Sequence, residues 1–253
     1  MNRIETLLLV AGAGALAPVV LYPFIHRFTL RVARTVRVEP IPPEEIAAAD
    51  RDYIEGTAPD LIHRNYRFLG YGRISGMTAG TTACFGLFRS DDAKNLAMAT
   101  VLFGVAGVKV HSLKIVTKYT NGYLVDVGNS PVIGSFRNPD KRVLRYPGVT
   151  NFGKLWTISR WVNRSERRVL NATPVLPPPG TEFQRIAEEI GREAAMRERS
   201  GYYRLDERDG KYRLTWLGAF AMMLNKAVPF SSLRSLHDRR IARQAVRGMW
   251  GLA

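Results

Sequence analysis

Cys84, His111 and Asp126 are the residue types of a thiol triad, in which a base activates the sulfur and a carboxylate orients the base. Cys84 is the sole cysteine of the chain. It sits in Ala83-Cys84-Phe85-Gly86-Leu87, which reads as a core strand, where a lone thiol is a small hydrophobe. His111 and Asp126 also fall on expected strands and not on loop tips, so the set is read as structural. His63 with Asp52 and Asp60 has the makings of an acid/base group, but its spacing fits the polar face of a helix better. Asn129, Ser130 and Arg137 follow a hairpin and form a candidate ligand loop, because polar side chains on a loop held by a rigid scaffold commonly bind.

Several chemistries drop out. One cysteine precludes an intrachain disulfide and a cysteine-ligated cluster, and His26, His63, His111 and His237 include no pair at metal-binding spacing. There is no P-loop, no dinucleotide glycine fingerprint and no Gly-x-Ser-x-Gly elbow, so no cofactor is expected. Gly70-Tyr71-Gly72 and the run from Gly76 to Gly80 are read as turns between antiparallel strands.

The charge is more informative. The chain carries a formal +15, mostly arginine, against 46% apolar and 23% charged residues overall. That is a folded composition attracted to something anionic. Two basic segments stand out. Arg27, Arg31, Arg34 and Arg37 follow a long apolar run. Ser232 to Trp250 reads as a basic amphipathic helix, with Arg240, Arg243 and Arg247 opposite Val246, Met249 and Trp250. That helix either lies on an anionic membrane surface or docks on the core of the protein. Nucleic acid is the less favoured partner: the helix before the Asp209-Gly210 hairpin is rich in glutamate and lacks the Arg, Asn and Gln of a recognition helix.

The apolar run is Leu7 to Ile25, LLLVAGAGALAPVVLYPFI, with no charged residue. It is long enough to span a hydrocarbon core of about 30 Å, and residues 1–25 are expected to form a short N-terminal tail and a single transmembrane helix. A cleaved leader and a buried soluble helix are the rival readings. Pro18 after the Ala15-Leu16-Ala17 site and the apolar residues beyond it weigh against the leader. The four arginines after the run outweigh Arg3 before it, which places the main domain in the cytoplasm.

Beyond the run, residues 26–42 read as a basic juxtamembrane segment ending in a stiff Pro40–Pro43 linker. Residues 43–173 read as an α+β domain. A helix starts at Pro43 and is broken at Gly56, with a second start at Thr57. An antiparallel meander follows over Tyr66–Ile74, Thr81–Phe88, Leu96–Phe103, Val108–Thr120 and Tyr123–Val127. Asn121-Gly122 predicts a type I′ hairpin. A helix is expected over Phe152–Val162. Residues 174–180, PVLPPPG, form a second linker, and 181–253 a helix–hairpin–helix region. The fold class is therefore α+β, with an N-terminal transmembrane helix. The expected function is a membrane-anchored, cytoplasm-facing module that binds a protein partner or a ligand. The alternative is a membrane-bound enzyme with an unrecognised site, acting on a lipid-linked or acidic substrate.

Overall fold

A computed structural model describes residues 21–78, 81–104, 107–131, 136, 138–226 and 240. Residues 7–20 of the expected span lie outside the described residues, as do Arg137, Arg243, Arg247 and Trp250. Among the described residues no helix is long and apolar enough to cross a membrane.

The meander is present and forms a mixed α+β core. Strands β2 (Arg37–Ile41), β3 (Arg67–Thr78), β4 (Thr81–Ser90), β5 (Asn95–Phe103), β6 (Lys109–Tyr119) and β7 (Leu124–Gly128) follow one another in space, each antiparallel to the next. The sheet then departs from the expected pattern. β8 (Lys141–Arg145) adds to β7 in parallel, and β9 (Pro174–Val175) pairs with the end of β6.

Both linker stretches contain strand. Pro40 lies in β2, at the edge of the sheet, where the N–H that proline lacks is not needed by a further strand. The glycines near residue 70 are not turns. They lie within β3, beside a bulge between Phe68 and Gly70. A Cβ on Gly72 would come within 2.5 Å of Phe85 and 2.6 Å of Phe183, so a bare backbone lets these rings close over the strand.

The sheet is covered on both faces. On one side lie α2 (Ala48–Ile62) and α3 (Phe152–Leu170). They pack Ile54, Leu61, Leu155, Ile158 and Val162 against Phe88, Ala97, Ile115 and Val125. On the other side α4 (Glu182–Arg199) lays Phe183, Ile186 and Ile190 over Ile74, Phe85, Leu87 and Met98. Burial on both faces explains why β4 and β7 lack an alternating pattern.

Helix α2 runs through Gly56 and Pro59 without a break. Pro59 sits in its last turn, so only one intrahelical hydrogen bond is lost, and buried Ile54 and Leu61 hold both halves to the sheet. The fit is tight: a Cβ on Gly86 would lie 2.4 Å from Cγ2 of Ile54. Gly86→Val is expected to cost about 1–3 kcal/mol by overpacking, measured as a lower urea midpoint at unchanged slope. An unchanged midpoint would show that α2 moves away freely.

The Asn121-Gly122 hairpin is present, but its turn is not type I′. Tyr119 and Tyr123 close a loop of three residues, and only Gly122 takes positive φ, at 86°. That is the three-residue arrangement with glycine in the left-handed position.

A second, three-stranded sheet joins the two ends of the described chain. β1 (Arg31–Ala33) pairs with β11 (Lys211–Leu214), which pairs with β10 (Tyr203–Asp206). Helix α5 (Trp216–Lys226) follows. Residues 21–29 are helical and form α1, so this helix continues past Ile25, where the apolar run was expected to end. Tyr22 packs with Val32, Tyr203 and Tyr212 in a core of this sheet.

Candidate ligand-binding cleft

The face of the sheet under α4 is apolar toward β3 and β4 but charged toward β6, β7 and β8. Strand pairing sets the pattern. Met98, Lys114, Gly128 and Arg145 form one cross-strand row. Leu96, Val116, Asp126 and Val143 form the next, and Lys118, Leu124 and Lys141 a third. Asp126 thus occupies the middle row with a cation near each corner.

Its carboxylate, 2% exposed, accepts from Nη1 of Arg145 at 3.0 Å and lies 3.3 Å from Nζ of Lys141. Burial would push the Asp126 carboxyl up. The Arg145, Lys141 and Lys114 charges outweigh burial and hold it well below the usual carboxylate range. Gly128 serves this contact. Its missing Cβ would stand 3.5 Å from Nη1 of Arg145 and 2.9 Å from the Leu113 carbonyl, so the guanidinium crosses a bare stretch of backbone.

Helix α4 supplies the roof. Glu189 and Glu193, four residues apart, face the sheet beside Ile186 and Ile190. Glu193 accepts from Lys141 at 2.8 Å and from Arg197 at 3.1 Å. Burial would raise its pKa, but these cations hold it low. Lys118 pairs with Glu189. Lys141, between Asp126 and Glu193, keeps its charge more firmly than a free lysine: the two carboxylates overcome the cost of burial.

Lys114 differs. Among the described residues no carboxylate lies within ion-pair distance of it, and no hydrogen bond to its Nζ is formed. Burial pushes its ammonium down. Asp126 pulls it back up, while Lys141 and Arg145 add to the fall, and the net shift is downward.

Lys114 lines a narrow cleft between the sheet and α4, about 110 Å³ in volume and partly open to solvent. Leu96, Met98 and Val116 form the floor, Ile186 and Ile190 the roof, and Leu176 with Pro177 a side wall. This last wall comes from the second proline-rich stretch. Arg89 on β4 ties that wall to α4: its Nη1 donates to the Pro177 carbonyl at 2.8 Å and to Glu182, the first residue of α4, at 2.7 Å.

The residues singled out in the sequence are placed as follows. Asp126 is on the α4 face. Cys84 and His111 share a row with Val101 on the opposite face, two strands apart, or about 10 Å. The sheet therefore divides the triad. His111 instead lies 3.9 Å from Asp50, which Lys109 contacts at 3.0 Å, and stacks on Tyr53 with ring centroids 4.4 Å apart. Burial raises the Cys84 thiol pKa, with the neighbouring Arg73 opposing, which suits a thiol kept protonated.

Asp52 is exposed, and Asp60 lies 3.9 Å from Arg64. His63 lines an open groove with Arg64, Asp92, Trp156 and Arg160, in which both arginines lie over the indole, at 5.8 and 4.8 Å. Asn129 is committed to backbone. Its Oδ1 accepts from Leu113 N–H at 2.6 Å and its Nδ2 donates to the Val149 carbonyl at 3.0 Å. Ser130 is half-buried beside it.

Of the membrane-facing set, Arg27 lies 5.8 Å over Trp216, Arg31 is 3.7 Å from Asp209, and Arg34, Arg37 and Arg240 are exposed. The cleft residues Lys114, Lys118, Lys141, Glu189 and Glu193 were not singled out from the sequence. The available signal was a pair of lysines four residues apart, Lys114 and Lys118, on one face of a strand whose other face carries Leu113, Ile115 and Tyr119.

Compared with protein-family models, with curated proteins and with solved structures, the chain matches none.

Proposed function

We propose that this protein is a membrane-tethered module, facing the cytoplasm, that binds a small ligand in the cleft between the sheet and α4. The observation that carries the ligand-binding part is the cleft itself. It has apolar walls, a few convergent charged groups and one lysine without an ion-pair partner among the described residues. A concave apolar site with a small number of placed polar groups is the usual form of a small-molecule site.

The tether rests on the uncharged run from Leu7 to Ile25. It is supported by an exposed apolar surface at the end of that run. Phe24 and Phe28 of α1 pack edge-on against Trp216 of α5, with centroids 4.9 and 6.2 Å apart. All three rings are exposed, as are Leu217 and Phe220. Aromatic residues beside a basic flank suit the membrane–water boundary.

Native mass spectrometry of the full-length protein, released from phosphatidylcholine nanodiscs, tests the binding part. The wild type is expected to carry a bound small molecule, and Ile190→Trp, which fills the cleft, to carry none. Equal adducts on both proteins, or none on either, would overturn it. The tether is tested by topology. A cytoplasm-active reporter fused after Ala253 is expected to be active, and replacing Arg27, Arg31, Arg34 and Arg37 by glutamine to weaken that bias. A reporter active only after export would refute the orientation.

A further inference from the structure

We infer that the ligand of this cleft is a single-chain amphiphile with an anionic head, a phosphate or a carboxylate, and that Lys114 is the residue that meets the head. The inference rests on the cleft being a ligand site and adds the class of the ligand.

Charge indicates the head. The cleft is lined by Lys114, Lys118, Lys141 and Arg185 against only Glu189 and Glu193. Just behind, Asp126 and Arg145 face one another and cancel. Lys118 and Lys141 are neutralised by the two glutamates, and Arg185 lies 2.6 Å from Glu188 at the rim. Among the described residues Lys114 is the lysine of the lining left without a counterion, and a half-buried cation without one is costly. An anionic oxygen placed against it would supply what Asp126, already shared between Arg145 and Lys141, does not. Such charge-assisted contacts are the strong ones.

Shape and lining indicate the tail. On the floor Met98 and Leu96 lie next to Lys114 and Val116 across β5 and β6, and Ile186 and Ile190 face them from α4. The narrow space between these apolar surfaces suits an alkyl chain better than a ring or a sugar, whose hydroxyls would find few partners there. A membrane-tethered protein would meet such molecules at the bilayer surface.

Photolabelling of the full-length protein in phosphatidylcholine nanodiscs tests this. The probes are a ten-carbon alkyl phosphate with a diazirine midway along the chain, the matching carboxylate, and the matching neutral alcohol. Peptides holding Leu96, Met98, Ile186 and Ile190 are expected to be labelled by both anions, at half-saturation about ten-fold lower than for the alcohol. The better of the two anions identifies the head as phosphate or carboxylate. Lys114→Met keeps the length and apolar stem of the side chain and is expected to raise half-saturation for the anions about ten-fold, with no change for the alcohol. Lys114→Arg is expected to retain most of the preference. Ile190→Trp should abolish labelling by all three probes. An unchanged urea midpoint for each variant assures that the fold is kept.

If the alcohol labels the cleft as well as the anions do, or Lys114→Met leaves the preference unchanged, the assignment of head and lysine is overturned while the cleft remains a ligand site. If Ile190→Trp leaves the labelling of these peptides intact, the cleft itself is not where small molecules bind, and both readings fail.

Discussion

Asp126→Ala is expected to lower the unfolding free energy by about 3–5 kcal/mol, the usual cost of removing one partner from a buried ion pair. The variant leaves the Arg145 guanidinium without its acceptor at 3.0 Å and takes from Lys141 one of its two carboxylates. It also leaves Lys114 beside two cations with only Glu193 opposing them. Urea unfolding at neutral pH measures the loss, and a loss below about 1 kcal/mol would mean that water replaces the carboxylate. Acid titration gives a second reading. The Asp126 pKa is depressed in the folded state, so its contribution is complete above the ordinary carboxyl value of about 3.9 and is lost as pH falls below it toward the folded value. Wild type should therefore lose stability with acid in that window more steeply than Asp126→Asn, which has no proton to take up at this position.

Arg89→Ala is the second large effect, again about 3–5 kcal/mol. The Arg89 and Glu182 side chains are 8% and 4% exposed, and their contact of 2.7 Å ties β4 to the first turn of α4. Asp91, 2.9 Å from Nε, is the only other carboxylate on this arginine among the described residues, and it is more than half exposed. Removing Arg89 strands the Glu182 carboxylate and frees the Pro177 carbonyl. The positive end of the α4 dipole offsets part of this loss, since Glu182 is its first residue. Hydrogen exchange should show the location: amides of α4 are expected to exchange faster in the variant while those of α3, on the other face, follow only the global change. Arg89→Met with Glu182→Leu, which removes both charges and keeps volume, should recover most of the stability. Failure of that pair to recover, or uniform acceleration throughout, would show that the contact does not hold the roof of the cleft.

These two contacts were not legible in the sequence, though the elements that bear them were. The five strands of the meander lie within a few residues of their expected positions, because β-branched and aromatic runs between turn residues are local signals. The same is true of α4, whose Phe183, Ile186 and Ile190 recur at helical spacing, and of both hairpins. Helix α3 was expected to end at Val162 but runs to Leu170, where Asn171 closes it in the left-handed conformation at φ 45°. The helix break at Gly56 failed for a related reason. Propensity at one residue is worth about 1 kcal/mol, whereas burying Ile54 and Leu61 against the sheet is worth more.

Local pattern thus determined the α+β class, most strands, the two hairpin positions and the basic, partly apolar character of the ends. Tertiary structure decided what those elements do. It put Asp126 and Cys84 on opposite faces, an outcome of strand register that shifts by a whole face for each residue of slip. It laid β8 beside β7 in parallel and joined β1 to β11, pairings between residues far apart in the chain that no short window records. It brought Lys114, Asp126 and Glu193 together from two strands and a helix. A charge on a strand reads as a solvated side chain until something covers that face. Here α4 covers it, and the resulting loss of water turns ordinary lysines and carboxylates into a partly buried network with, among the described residues, one cation left over.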